Sequence, residues 1–443
     1  MGPSEAREKG KSLYVYIGDA YAGRLMEDRH GSLSFEYDEA YRGVPLSLSM
    51  PTGLVRYHDR TVRPYLEGLL PDDANTREKL GEMFGVSGNN PFRLLGGIGN
   101  DCPGAIRMRA TREDGGRQTA GRHGGELVEL TEADIERRLR DIREDAARAW
   151  TEHPREESRW SLAGCQAKFA VRLRAGRWYA CLGDEATTHL VKPGIAGLPH
   201  QALVEYLTMR CAANIGLPVA KTDYRLFGVE PAIVIARYDR VQDRYGNIRR
   251  LHQEDLCQAL GVSPQKKYAE DGGPSSVDVF EVLAKTGQNA SDNLYRFVLY
   301  LFFNYLIGAT DAHAKNYSVL LLGEHDVRLA PLYDVASMAP YADLSPERRK
   351  PIRAAMSIGG ENRFGMVERK HIEKMVSTTC LSDFGFEGEM LSNAMHLMAE
   401  RIPPALDAAI NELKDSGLAS GEDVVRSMVH GVRAICSRTT ERL

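Results

Sequence analysis

The sequence has no pair of cysteines at CxxC spacing, no marked excess of either charge and no long uninterrupted apolar run. Its seven cysteines stand singly at 102, 165, 181, 211, 257, 380 and 436. An odd number without ligand spacing argues against a zinc cage or a disulfide framework and implies a reducing compartment. Lys plus Arg number 57 against 61 Asp plus Glu, a formal net charge of −4. That excludes a histone-like polycation while leaving room for a local basic patch. The most apolar stretch, 297–309, is too short for a bilayer and carries Asn304 in its middle. The polar N-terminal residues show no signal-peptide hydrophobic region, so a cytoplasmic chain that crosses no membrane is expected.

What is present is globular: 443 residues, 43% hydrophobic and 27% charged, enough for two or three domains. Residues 12–16 and 32–37 alternate as strands, and a helix is expected over 75–84. A polar, Gly-rich segment at 111–125 reads as a surface loop or linker. Thr131 then N-caps a charged helix running toward Trp150. From 160 the pattern becomes a hairpin, the strand THLVKP, a helix from Gln201 ending at Gly216, and two further strands to about 240. Beyond 251 the chain reads as helical apart from one hairpin near 317–330. The expected fold is α+β and bilobal, with a cleft between lobes. Its parts are a β-rich subdomain with a linker helix (1–150), a nucleotide-binding region (151–240) and a helical catalytic lobe (241–443).

The chemistry concentrates in GATDAHAKNYSVLLLGEHDVRLAPLYDVAS, 308–337. An apolar helix delivers Asp311, His313, Lys315 and Asn316, and a hairpin then leads to Asp334. Phosphoryl transfer needs a carboxylate at the attacking hydroxyl, with an amide oxygen and a second carboxylate on magnesium. Asp311 and Asn316 have the spacing of a kinase base and metal ligand, and Asp334 follows its hairpin as a metal Asp should. The plain alternative is a polar helix end capping its own loop. The tripeptide Asp383-Phe384-Gly385 spells a kinase metal motif, but no strand pair leads into it, and a chance match is the better reading. Upstream, SLAGCQAKFAVRL (161–173) has neither G-x-G-x-x-G nor a Walker motif. Ala163 and Gly164 leave either a phosphate-cupping nest or an ordinary strand entry. Lys192 on THLVKP implies an anionic partner, and Glu205, thirteen residues on, is the natural one. A solvated strand-end lysine is the alternative there.

These pieces resemble the HipA serine/threonine kinases, the toxin half of HipA–HipB toxin–antitoxin pairs. LLPD (69–72), GNDCPGAI (99–106), SLAGCQAK (161–168), THLVKP, RYDR (237–240), QEDLCQALG, KYAEDGGP (267–274), GATDAHAKNYSV and PLYD carry the resemblance in order. It implies a kinase-like core related to phosphoinositide kinases behind an N-terminal β-rich subdomain. By the same resemblance Asp311 is the base, and Asn316 and Asp334 hold Mg2+. Ala163, Gly164, Cys165, Gln166, Ala167 and Lys168 form the loop on the ATP phosphates, with Lys192 as the nucleotide lysine. Ala236, Arg237 and Tyr238 line the adenine; His313, Lys315 and Tyr333 belong to the ATP site. Ser161 matches an autophosphorylated serine whose added charge would pull the loop out and silence the enzyme. The implied partners are a HipB-like DNA-binding antitoxin, operator DNA through it, and an aminoacyl-tRNA synthetase such as glutamyl-tRNA synthetase as substrate. Translation would halt and dormancy follow. The sequence departs from the family pattern at Cys165 and Ala167 in the loop and at Ala236-Arg237-Tyr238. Arg363, Arg369 and Lys370 are candidate DNA contacts, a solvated charged surface being the better reading. Two other functions are open to such a chain: a small-molecule or lipid kinase, and a catalytically silent corepressor on DNA. No membrane-binding face supports the lipid kinase. Intact Asp311, Asn316 and Asp334 oppose the silent corepressor.

Overall fold

In the computed structural model, residues 11–112, 125–152, 160–341, 352–417 and 421–443 are described. The Gly-rich segment expected as a loop lies mostly outside them. The chain opens with a five-stranded antiparallel sheet, in spatial order Arg56–His58, Leu33–Tyr37, Ala20–Glu27, Lys11–Ile17 and Ile106–Arg109. The strand Ala20–Glu27 was not expected. Gly18 at φ +61° makes the tight turn that folds it back on Lys11–Ile17. Helices Asp59–Gly68 and Pro91–Ile98 pack on this sheet, and Ala74–Phe84, capped by Asp73 on the Thr76 amide, packs on Pro91–Ile98.

A six-stranded antiparallel sheet follows, ordered Thr222–Phe227, Glu230–Ala236, His189–Pro193, Phe169–Arg174, Arg177–Leu182 and Glu126–Leu130. Its outer strand, Glu126–Leu130, and the helix Glu132–Glu144 pack here, whereas the sequence pattern groups both with the first subdomain. Thr131 caps that helix in a capping box with Asp134. The helix stops at Glu144 rather than continuing toward Trp150, which lies on a separate short turn, Arg148–Thr151.

The remainder is mainly helical. The buried helix Ala290–Leu306 is surrounded by Ser276–Ala284, Gly388–Asp415 and Glu422–Thr440. The expected hairpin, Ser318–Leu321 with Val327–Leu329, gains a third strand, His252–Asp255. A second hairpin, Arg353–Ile358 with Glu361–Arg363, was also not expected. One apolar core joins the two N-terminal sheets, and the other fills the helical lobe together with the helix Gln201–Asn214. Among the described residues, no helix is long and apolar enough to cross a membrane.

Candidate active site

The strand His189–Pro193 alternates its side chains between two faces. Val191 is fully buried in the sheet's core, which sends Lys192 to the opposite face, against the helix Gln201–Asn214. There Lys192 Nζ donates to Glu205 Oε1 at 2.9 Å and to Asp334 Oδ1. Burial alone would lower the lysine's pKa, but the two carboxylates outweigh it and hold the ammonium above its ordinary value. One ammonium cannot fully satisfy two carboxylates. Burial pushes Glu205 upward against the pull of Lys192, whereas Asp334, under the fields of Lys192 and Lys168, is held down at about 2 despite its burial. Asp334 has φ +58°, a left-handed backbone that a non-glycine residue rarely adopts, and such outliers gather at functional sites.

Lys168, the last residue of the loop 161–168, is buried beside Gly164. Burial, with Lys192 alongside, lowers its pKa to about 8. Gly164 sits at φ +95°, a backbone conformation that calls for glycine, and a Cβ there would lie 2.9 Å from the flexible end of Lys168, Nζ. Gln166 reaches Gln201 at 3.3 Å, and Gln201 reaches Glu205 at 3.4 Å.

Facing them is the turn after the buried helix Ala290–Leu306. Asn316 Nδ2 donates to the Asp311 carbonyl at 2.6 Å, which leaves the amide oxygen as its acceptor atom. The Asp311 carboxylate is 65% exposed and lies 3.7 Å from His313 Nε2. Burial lowers the His313 pKa to about 4, so the ring is neutral. Its buried Nδ1 has no hydrogen-bond partner among the described residues. A cleft lined by Gln166, Gln201, Glu205, Asp311, Ala312 and Asp334 runs between the two sides.

The other expected residues have these surroundings. Lys315 bonds Asp72 of the first subdomain at 2.5 Å. Arg237 turns its side chain away to Asp101 and Asp239, and its N–H is spent on the Thr188 carbonyl, because two buried carboxylates outcompete the cleft for a guanidinium. Tyr238 packs at a tilt against Tyr333, ring centroids 5.5 Å apart, and Tyr333 bonds Ser318 at 2.6 Å. Cys165 is exposed beside Lys267, and Ala163 and Ala167 are partly buried. Ser161 is fully buried, donating its hydroxyl to the Leu69 carbonyl and its N–H to the Asp101 carbonyl at 3.1 Å, not to Asp311. Asp383-Phe384-Gly385 closes a 3-10 turn, with Gly385 at φ +79° as its cap. Arg363 and Lys370 are paired with Glu361 and Glu368, and Arg369 reaches the Leu443 carbonyl at 3.5 Å.

Three residues at the site were not singled out from the sequence. Tyr268 donates its hydroxyl to Asp311 and packs edge-on against His313, centroids 4.8 Å apart. Asp72 and Lys267 pair at 3.0 Å. Their signal was the segments LLPD and KYAEDGGP, which carried no role of their own.

Comparison with known proteins gives concordant matches. The family model described as the HipA N-terminal domain matches residues 13–109, and the HipA-like C-terminal domain matches 160–406. The protein named "Putative kinase Y4mE" of Sinorhizobium fredii is 37% identical over 352 residues, 78% of this chain and 80% of that protein. The serine/threonine-protein kinase toxin HipA of Shewanella oneidensis is 27% identical over 421 residues, 91% of this chain and 90% of the toxin. A solved complex of Shewanella oneidensis HipA with HipB and its operator DNA superposes with a TM-score of 0.77 at 26% identity, covering 97% of each chain. The α+β, bilobal kinase-like architecture expected from the sequence is the one this match displays.

Proposed function

The chain belongs to the HipA family, and on that premise we propose that it is a serine/threonine-protein kinase toxin that uses ATP and Mg2+. The observation that carries the reading is Lys192 held between Glu205 and Asp334, opposite Asp311 and Asn316. The residues fit the nucleotide and its cation. Two amine donors, Lys168 and Lys192, suit phosphate oxygens, and the Asn316 amide oxygen and the ionised Asp334 suit a hard cation. Among the described residues, no group of three or more His, Cys, Asp or Glu is placed to hold a metal by itself. Magnesium in kinases takes one or two protein oxygens and completes its shell from phosphates and water.

Bound MgATP supplies the transferable phosphoryl group and neutralises its developing charge. The chain does the rest. Asp311, exposed to the cleft, takes the proton of the acceptor hydroxyl. Lys192, oriented by Glu205, would hold a nucleotide phosphate. Asp334 and the Asn316 amide oxygen would hold the cation, and neutral His313 would lie beside the nucleotide. Gly164 lets the loop backbone approach the phosphates over Lys168.

The substrate we assign is a serine of an aminoacyl-tRNA synthetase, such as glutamyl-tRNA synthetase, whose modification would halt translation and bring on dormancy and persistence. Ser161 is assigned as the self-inactivation site. Because it is held by Leu69 and Asp101, its phosphorylation requires the loop to leave that seat. The partner is a HipB-like antitoxin, with operator DNA reached through it, and the site of action is the cytoplasm. The test is transfer of labelled γ-phosphate to purified glutamyl-tRNA synthetase by wild type and Asp334→Asn. Label is expected only with wild type and Mg2+. Label on the chain but never on the synthetase would remove the substrate assignment, and equal label with both proteins would remove that of Asp334.

A further inference from the structure

Asp72 lies in the N-terminal subdomain, just after the helix Asp59–Gly68, yet its bonds all cross to the active-site side. Its carboxylate takes Lys315 Nζ on Oδ1 at 2.5 Å and Lys267 Nζ on Oδ2 at 3.0 Å. Its backbone N–H donates to the Gly164 carbonyl at 3.1 Å, extending a parallel bridge between Pro71 and Gly164. Three segments far apart in sequence thus meet on one residue. Lys315 belongs to the turn that carries Asp311 and Asn316. Lys267 precedes Tyr268, whose hydroxyl bonds Asp311. Gly164 belongs to the loop over Lys168.

We infer that Asp72 is a positioning residue of the proposed phosphoryl transfer, the point through which the N-terminal subdomain sets the geometry of the catalytic turn, the Tyr268 strap and the phosphate loop. The inference rests on the kinase reading for its catalytic part alone. The carboxylate is 12% exposed and shared by two ammonium groups that are 11% and 5% exposed. In such a site the ion pairs cannot trade freely for water, so losing the carboxylate strands two buried cations. Each then repels the other and must seek a new partner, and the elements carrying them move. The backbone bond to Gly164 is independent of the side chain, which lets the two kinds of tether be separated by mutation. Asp72 touches no reacting atom in this scheme; it acts through Lys315, Lys267 and Gly164.

Asp72→Asn keeps the size and the backbone bond and removes the charge. Two measurements are made on the full chain: amide hydrogen exchange, and steady-state transfer at varied ATP. Exchange is expected to rise in 263–273 and 311–317, with the strands Lys11–Ile17 and Ala20–Glu27 as protected as in wild type. The value of kcat is expected to fall about tenfold to a hundredfold, the range for small misplacements of reacting groups, while KM for ATP changes little. Lys315→Met should lower kcat alike, and adding Asp72→Asn to it should cost much less than it costs wild type. Asp72→Glu should recover part of the loss. Exchange confined to 69–73, or additive losses in the double variant, would overturn the inference. Global loss of protection in Asp72→Asn is resolved by Lys267→Met, which removes a single cation and must still raise exchange over 263–273. A wild type that transfers no phosphate to any acceptor sinks the kinase reading and the catalytic part with it, while the exchange result still decides the tether.

Discussion

Tyr268 and Asp311 show how much of the proposed chemistry hangs on single polar atoms. The phenol is kept protonated, since burial and the adjoining carboxylate both push its pKa upward, so it acts as a fixed donor to Oδ1. A carboxylate held through one oxygen presents the other to the cleft, and ring packing on His313 fixes the donor in turn. Tyr268→Phe removes one oxygen and leaves that packing. It is expected to lower kcat about tenfold, the size of one hydrogen bond to a charged group, with KM for ATP unchanged. A rate equal to wild type in steady-state transfer would show that Asp311 needs no such orientation. The lysine between Glu205 and Asp334 was legible in the sequence because a strand and the next helix bring residues thirteen apart together. Asp72 and Lys267 were not, since 195 residues separate them and only the folded chain closes that distance.

Elements meet along seams, and the strand His252–Asp255 forms one of the most polar. The turn at 46–49 docks on it: His252 Nε2 meets the Leu46 carbonyl at 3.0 Å, Leu48 N–H donates to Glu254 Oε1 at 2.7 Å, and Ser47 Oγ donates to Oε2. Burial raises the Glu254 carboxyl to about 8, against the pull of those two donors. Between the unfolded value near 4.5 and about 8, the folded chain therefore holds a proton that the unfolded chain has lost. This contribution is present at low pH and is lost as pH rises through that window, at up to about 1.4 kcal/mol per pH unit. Glu254→Gln cannot titrate, and should gain stability relative to wild type between pH 5.5 and pH 8.5 in urea denaturation. A constant difference between the two proteins across that range would mean that the seam holds an ionised carboxylate. This strand was missed in the sequence because HQED carries no apolar alternation; it forms by pairing with the hairpin strand Ser318–Leu321, not by its own propensity. The expected helix running to Trp150 was cut short for a related reason. Asp145 takes Lys79 and the Ala147 amide instead of continuing the turn.

At the scale of the whole molecule, the first subdomain is tied to the kinase-like core by buried charge as well as by apolar packing. Asp101 receives Arg240 at 2.7 Å, Arg250 at 3.1 Å, Arg237 at 3.3 Å and the Thr187 hydroxyl at 2.7 Å, while Asp239 takes the Gly104 amide at 2.7 Å. The arginines hold Asp101 far below the ordinary carboxylate range despite its burial. Asp101→Asn would leave Arg237 and Arg240 sharing Asp239 and Arg250 without its carboxylate, and an expected loss of about 3–5 kcal/mol in urea denaturation follows from stranding buried charge. A loss below about 1 kcal/mol would show that solvent replaces the pairing. The family resemblance puts Ala236, Arg237 and Tyr238 beside the adenine, and the structure gives the side chains of Arg237 and Arg240 to this cluster. A local string cannot reveal that its partner lies in GNDCPGAI, more than a hundred residues earlier. The central claim, that Asp311 drives phosphoryl transfer, is tested most directly by intact mass after incubation with Mg2+ and ATP, wild type beside Asp311→Asn, with peptide mapping. The account predicts one added phosphate on Ser161 in wild type and none in the variant. Equal phosphorylation of both proteins would contradict it.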